Sequence, residues 1–177
     1  MLGTLRALGV VLGRRRERGR SANMMGVLHL RCSRFEPAEQ WFRRAADVHA
    51  ALGAGRNLGG NRLNIAITLY KRGSFAAAAN ELVAARRLLR DAGAQVPLCR
   101  ATIAVGCVQI LRRDLEGAAA TLHEAYATAN SLMLSREEAL LLIESSDSLE
   151  GVSLLMNTRA PISCAFQYAL ASQLAHD

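Results

Sequence analysis

The residue types in this 177-residue chain that could support catalysis or metal binding are its histidines and cysteines. The histidines lie outside any HExxH pattern and have no cysteine at metal-ligand spacing: His29, His49, His123 and His176. The cysteines form no CxxC pair, and we interpret them as buried free thiols of a reducing compartment: Cys32, Cys99, Cys107 and Cys164. No serine has a GxSxG context. We therefore predict no catalytic residue, no metal and no cofactor, and expect that the protein is not an enzyme.

Two further stretches suggest binding of phosphate groups. "GAGRNLGG", residues 53–60, departs from the GxGxxG fingerprint and lies between two predicted helices, so we interpret it as a linker with a helix-ending glycine. The run "RRRERGR" could contact nucleic-acid phosphates, with an affinity that falls as salt rises. Its cationic residues are Arg14, Arg15, Arg16, Arg18 and Arg20. The alternative interpretation of this run is a solvated segment between helices.

The composition predicts a helical protein. Hydrophobic residues make up 51% of the chain and aromatic residues only 5%, a balance that favours helices over sheets. Only three prolines interrupt the sequence, which leaves room for long helices. No apolar run reaches the 18 or so residues that a membrane span needs, so we expect no membrane partner and a cytoplasmic location.

The chain contains an internal repeat. Residues 26–54, 66–94 and 106–134 align without a gap, so each column recurs 40 residues later. The columns alternate small and large side chains and are predicted to pack the helices together. They are Gly26, Phe35, Ala38, Phe42 and Ala45; Ala66, Phe75, Ala78, Leu82 and Ala85; Gly106, Leu115, Ala118, Leu122 and Ala125. The spacing predicts first helices over 20–33, 58–72 and 98–113 and second helices over 36–53, 75–92 and 115–131, separated by "CSR", "RGS" and "RRD".

These columns resemble the tetratricopeptide repeat, in the stretches "GVLHLRCSRFEPAEQWFRRA", "AITLYKRGSFAAAANELVAA" and "GCVQILRRDLEGAAATLHEA". The resemblance implies an all-α, right-handed solenoid of antiparallel helix pairs. The period of 40 exceeds the usual value of about 34, which leaves a HEAT-like array as the alternative. Three repeats would occupy 19–58, 59–98 and 99–134. Residues 1–18 would be a partial upstream repeat or capping helix, and 135–177 a degenerate fourth repeat with a closing helix.

The resemblance also implies a groove for an extended peptide along the first helices. The residues that it suggests are Arg20, Asn23, Val27, Leu30 and Arg31; Leu63, Asn64, Ile67, Tyr70 and Lys71; Arg100, Ile103, Cys107 and Ile110. The sequences of the repeats are similar to those of bacterial transcription regulators, in which such repeats sense or relay a signal. We therefore expect a scaffold for a protein or peptide partner, with self-association as a way to cover an uncapped end. The alternative is a nucleic-acid-associated protein that acts through its arginine-rich surface.

Overall fold

The computed structural model describes residues 2–131, and this part of the chain consists of helices joined by short loops with no strand. The predicted all-α class is therefore confirmed. The helices are α1 (Leu2–Arg31), α2 (Phe35–Ala51), α3 (Gly55–Lys71), α4 (Phe75–Asp91), α5 (Gln95–Leu111) and α6 (Leu115–Ser131). The predicted fourth repeat and closing helix at 135–177 lie outside the described residues. None of the described helices is long and apolar enough to cross a membrane.

The loops repeat one geometry every 20 residues. Each loop has three residues, and the predicted separators "CSR", "RGS" and "RRD" coincide with three of the loops. The middle residue of each loop has a left-handed φ, between 55° and 77°. After α2, for example, the Gly53 N–H donates to the Ala50 carbonyl and the Ala54 N–H to the His49 carbonyl, so two carbonyls of the last helical turn gain partners. The period of 40 thus arises from two equal helix-and-loop units.

Glycine occupies three of the five left-handed positions, namely Gly53, Gly73 and Gly93, while Ser33 and Arg113 occupy the other two. A side chain in this conformation clashes with its own backbone, which glycine avoids because it has no Cβ. The middle loops therefore form without strain, and the same turn is built at a cost at Ser33 and Arg113.

Two predicted boundaries are wrong. Residues 14–20 are not a segment between helices, because α1 continues without a break from Leu2 to Arg31. No proline interrupts this stretch, and an isolated glycine in a helix costs only about 1 kcal/mol. The predicted linker 53–60 is also too long, since α3 already begins at Gly55. Its first turn forms there because the Leu58 N–H donates to the Ala54 carbonyl at 2.9 Å.

The chain divides between Ala94 and Gln95 into two compact units. In the first unit each helix contacts the next one, from α1 to α4, and in the second unit α5 contacts α6. The first unit has a core cluster of Ala38, Phe42, Ile65, Leu69 and Ala78, and the second has one of Cys99, Ile103, Cys107 and Ala125.

Small residues on the first helix of a pair lie under large residues on the second. A methyl group added at Gly26 would lie 2.6 Å from the Phe42 ring, and one at Gly106 would lie 2.6 Å from Leu122 Cγ. Such distances are shorter than any van der Waals contact, so only glycine permits this approach. The alanine columns of the second helices are buried as well, with Ala38, Ala78 and Ala118 at 0% exposure. Phe75 is an exception, because it is 37% exposed and packs edge-on against Tyr70.

Candidate functional site

Part of the groove suggested by the resemblance lies in the protein interior. Leu63 and Cys107 are 1% exposed, and Ile67 and Ile103 are also buried. These four side chains pack helices together and cannot line an open groove, which corrects the suggested set. The physical reason is angular: one residue along a helix turns the side chain by about 100°, so a small error in a transferred register moves a residue from the surface to the core.

The exposed face of α1 carries two large apolar residues with an arginine on either side. Met24 and Leu28 are 61% and 55% exposed, and Arg20 and Arg31 are exposed as well. Spacings of four, four and three residues place all of them on one side of the helix. Val27 and Leu30, which the resemblance suggested, instead pack partly buried against the core cluster. Sequence reasoning missed Met24 and Leu28, although their signal was present as large apolar residues outside the small–large columns.

Asparagines connect this face of α1 to α3. The Asn23 Oδ1 atom accepts a hydrogen bond from Asn64 Nδ2 at 3.1 Å and another from Asn61 Nδ2 at 2.9 Å. Asn23 and Asn64 are only partly buried. The other polar atoms of these two amides are the Asn23 nitrogen, which is a donor, and the Asn64 oxygen, which is an acceptor. A donor and an acceptor therefore stand side by side at the α1–α3 boundary.

His49 of α2 also belongs to this polar cluster. Its ring is buried, and Nδ1 donates to the Asn61 Oδ1 atom at 2.6 Å. The Nε2 atom has no hydrogen-bond partner among residues 2–131 and lies against Gly19, where an added methyl would approach it to 2.6 Å. The exposed fraction of His49 is only 3%, which is low for a polar side chain. Through this hydrogen bond His49 holds the Asn61 side chain in place.

The cationic residues suggested on α3 and α5 differ in their surroundings. Lys71 ends α3 and is partly buried, while the neighbouring Tyr70 packs against the core cluster. In the second unit, burial lowers the pKa of Arg100, and its Nε atom is buried without a hydrogen-bond partner. Ile110 is partly buried in the same helix. Lys71 and Arg100 thus remain candidate anchors for an anionic group, each within its own unit.

The arginine run does not form a single stripe. All five arginines of residues 14–20 are exposed, but they are spread over almost two turns of α1 and so point to several sides of the helix. Other outer arginines are engaged by neighbours. Arg43 donates to Glu39 at 2.8 Å, and the Arg44 guanidinium lies 4.8 Å from the centre of the Trp41 ring.

The cysteines differ in exposure. The prediction of buried thiols is wrong for Cys32, which is exposed because it begins the solvent-exposed loop after α1. Cys99 and Cys107 are buried, and Cys164 lies outside the described residues. Burial raises the pKa of the Cys99 thiol, which donates to the Ala125 carbonyl at 3.3 Å. Residues 2–131 contain no group of three His, Cys, Asp or Glu side chains that could hold a metal ion. No protein-family model matches this chain, and no curated protein or solved structure matches it either.

Proposed function

We propose that this protein is a helical-repeat scaffold that binds an extended, acidic peptide segment of a partner protein. The contact surface, called the α1–α3 surface below, consists of Arg20, Asn23, Met24, Leu28 and Arg31 of α1 with Asn64 and Lys71 of α3. The observation that carries the proposal is the exposed Met24–Leu28 pair beside the hydrogen-bonded asparagines.

Each part of this surface suits one part of a peptide. Covering an exposed Met or Leu side chain contributes about 1.5–3 kcal/mol, and two neighbouring ones form a small apolar anchor. The Asn23 donor and the Asn64 acceptor match the carbonyl and N–H groups of a peptide bond. Arg20, Arg31 and Lys71 surround these groups with positive charge, which favours acidic side chains or a terminal carboxylate.

The proposal also includes a tetratricopeptide-like solenoid of antiparallel helix pairs. Three observations support it: the columns that recur every 40 residues, the identical turns, and the close approach of Gly26 to Phe42 and Gly106 to Leu122. We further propose that the chain serves as the sensory or regulatory part of a bacterial transcription regulator in the cytoplasm. The support is that its repeat sequences resemble those of such regulators.

Peptide selection tests this function. Immobilised protein is used to select from a displayed library of random peptides enriched in Asp and Glu, and the affinity of a selected peptide is then measured by calorimetry. We expect Met24→Glu combined with Leu28→Glu to weaken binding by about tenfold or more, because both apolar contacts are lost and acidic groups are repelled.

Val83→Glu is the matched control, since Val83 is 70% exposed on α4, away from the α1–α3 surface. This variant should bind the peptide as the unchanged protein does. Tyr70→Ala is unsuitable as a test, because Tyr70 supports the core cluster and its loss would weaken folding as well. Failure to select any acidic peptide, or equal weakening by Val83→Glu, would contradict the proposed surface.

A nucleic-acid function is distinguished by the response to salt. A protein that neutralises several phosphates loses affinity steeply as salt rises. If a labelled oligonucleotide bound with such a slope, and if binding were lost after replacement of Arg14, Arg15 and Arg16, the arginine-rich segment would be the functional element. The scattered directions of these arginines on α1 make the peptide function the better supported of the two.

A further inference from the structure

A second surface lies on another side of α1, where α1 and α2 line a wide, solvent-open cavity of about 530 Å³. Arg14, Arg18, Ser21 and Met25 of α1 line it together with Trp41 of α2. Met25 is 38% exposed. Asn23 faces α3, and the two residues from Asn23 to Met25 turn the helix by about 200°, so Met25 lies on the side of α1 opposite to the contact with α3.

The repeat shows what normally covers this face. Forty residues further along the chain, Met25 corresponds to Ile65, and Ser21 corresponds to Asn61. Ile65 is buried in a cluster with Ala38 and Phe42 of α2. Asn61 is hydrogen-bonded to His49, which also belongs to α2. In the second pair, therefore, the face that corresponds to the cavity is packed against the second helix of the preceding pair.

The second helices follow the same rule. Trp41 corresponds to Glu81, which pairs with Arg62 of α3 at 2.8 Å and with Arg43 of α2 at 3.8 Å. Glu81 of α4 thus also contacts α2, which is the second helix of the preceding pair. Trp41 occupies the equivalent position in the first pair, and there it borders the cavity instead of a helix.

We propose that this cavity is the docking site for an amphipathic helix of a partner protein, which takes the place that α2 has on α3, and whose flank is acidic. The charges decide the chemistry of the occupant. Arg14 and Arg18 line the cavity, and Arg44 stacks on Trp41, whereas Glu17 is the single acidic residue in the lining. A second copy of the chain is disfavoured as the occupant, because each copy carries a net charge of +7. None of the residues that line this cavity belongs to the α1–α3 surface.

The chain carries its own reporter for this site, since Trp41 is its only tryptophan. The probe is a synthetic peptide with the sequence of α2, residues 35–51, held helical by an i,i+4 side-chain crosslink. In the peptide, Trp41 is replaced by Ala so that it does not fluoresce, and Arg43→Glu with Arg44→Glu make its flank acidic. Titration of the full chain with this peptide should give a saturable change in Trp41 emission.

Charge reversal inside the cavity is the decisive comparison. Arg14→Glu with Arg18→Glu should weaken the peptide by about tenfold or more, because attraction becomes repulsion. Arg56→Glu with Arg87→Glu changes the net charge equally at exposed positions outside the cavity and should leave the affinity unchanged. If the first variant is not folded by circular dichroism, Met25→Glu replaces it, with the same expected weakening.

Three results would overturn the proposal. The first is no saturable change in Trp41 emission, and the second is equal weakening in the two charge-reversed variants. The third is a dimer of the unchanged chain in analytical ultracentrifugation that Arg14→Glu with Arg18→Glu abolishes, since the occupant would then be a second copy.

Discussion

Two helix pairs of the first unit make the same contact with different chemistry. In the α3–α4 pair, Gly59 lies under Leu89, and a methyl added at Gly59 would come within 2.7 Å of Leu89 Cγ. In the α1–α2 pair, Gly19 occupies the corresponding position, 40 residues earlier, and lies under His49. Both large residues are buried, but Leu89 is apolar and His49 is hydrogen-bonded to Asn61.

The difference shows that close approach and polarity are set independently. Glycine on the first helix is enough to let the second helix approach, whichever large residue covers it. A buried imidazole adds something else, because through Asn61 it fixes the amide of Asn23, which borders the α1–α3 surface. The apolar contact serves packing alone, whereas the polar one links the interior to the proposed binding surface.

The largest effect is expected at the apolar contact. Leu89→Ala should lower the free energy of unfolding by about 2–5 kcal/mol, because it removes buried methyl groups and leaves a cavity beside Gly59. Urea denaturation followed by circular dichroism measures this change. Val83→Ala is the control on the same helix, and its expected effect is within about 0.5 kcal/mol, since Val83 is largely exposed. Equal effects of the two substitutions would mean that Leu89 is not in the core.

Two adjacent glycines of α3 differ in the space around them, since only Gly59 is covered by Leu89. Gly59→Ala should destabilise the protein by about 1–3 kcal/mol, because the new methyl overlaps Leu89. Gly60→Ala meets no atom within 4 Å and should stabilise the helix by about 0.5–1 kcal/mol, the usual preference for alanine over glycine. The same denaturation experiment compares them. If both substitutions stabilised the protein, the close approach of α3 and α4 would be disproved.

A double-mutant cycle tests the polar contact. His49→Leu introduces the residue of the second pair, but it leaves the buried Asn61 amide oxygen without a partner, so a loss of about 1–3 kcal/mol is expected. Asn61→Ala in that background should recover most of the loss, since the third repeat has Ala101 at this position. Additive losses in the double variant would show that His49 and Asn61 are not coupled.

The third repeat offers the smallest effect, at Cys99, which occupies the position of Gly19 and Gly59. Burial raises the pKa of Cys99 in the folded protein, so the unfolded chain loses this proton first. Stability should therefore fall as the pH rises above about 8.5, and the fall should be smaller in Cys99→Ala. Urea denaturation at neutral and at high pH measures the two slopes. A steeper fall in the variant would contradict the buried, neutral thiol.

The helices were predictable from the sequence because their signals are local and repeated. Three loops could be placed at "CSR", "RGS" and "RRD", since turn residues interrupt the apolar pattern there. The alternation of glycine or alanine with Phe42, Leu82 and Leu122 indicated which helices approach closely. The start of α3 was misplaced, because Gly55, Gly59 and Gly60 suggest a loop while their role is to sit inside a helix.

The candidate surfaces were harder to predict, since they depend on which side of each helix is covered. Leu63 and Met24 differ by a single column of the repeat, yet one is buried and the other is largely exposed. The pairing of His49 with Asn61 joins different helices, and neither residue type signals the other in the sequence. The same holds for the cavity beside Trp41, because residues of two different helices line it.

If the repeat builds a surface for a protein partner, three immobilised baits should capture different sets of proteins from native lysate. The baits are the unchanged chain, Met24→Glu with Leu28→Glu, and Val83→Glu, each used after nuclease treatment and compared by quantitative mass spectrometry. We predict a discrete set of proteins that the first and third baits retain at high salt and the second loses. Identical sets on all three baits, or no protein retained by any bait, would contradict a protein-binding surface on α1 and α3.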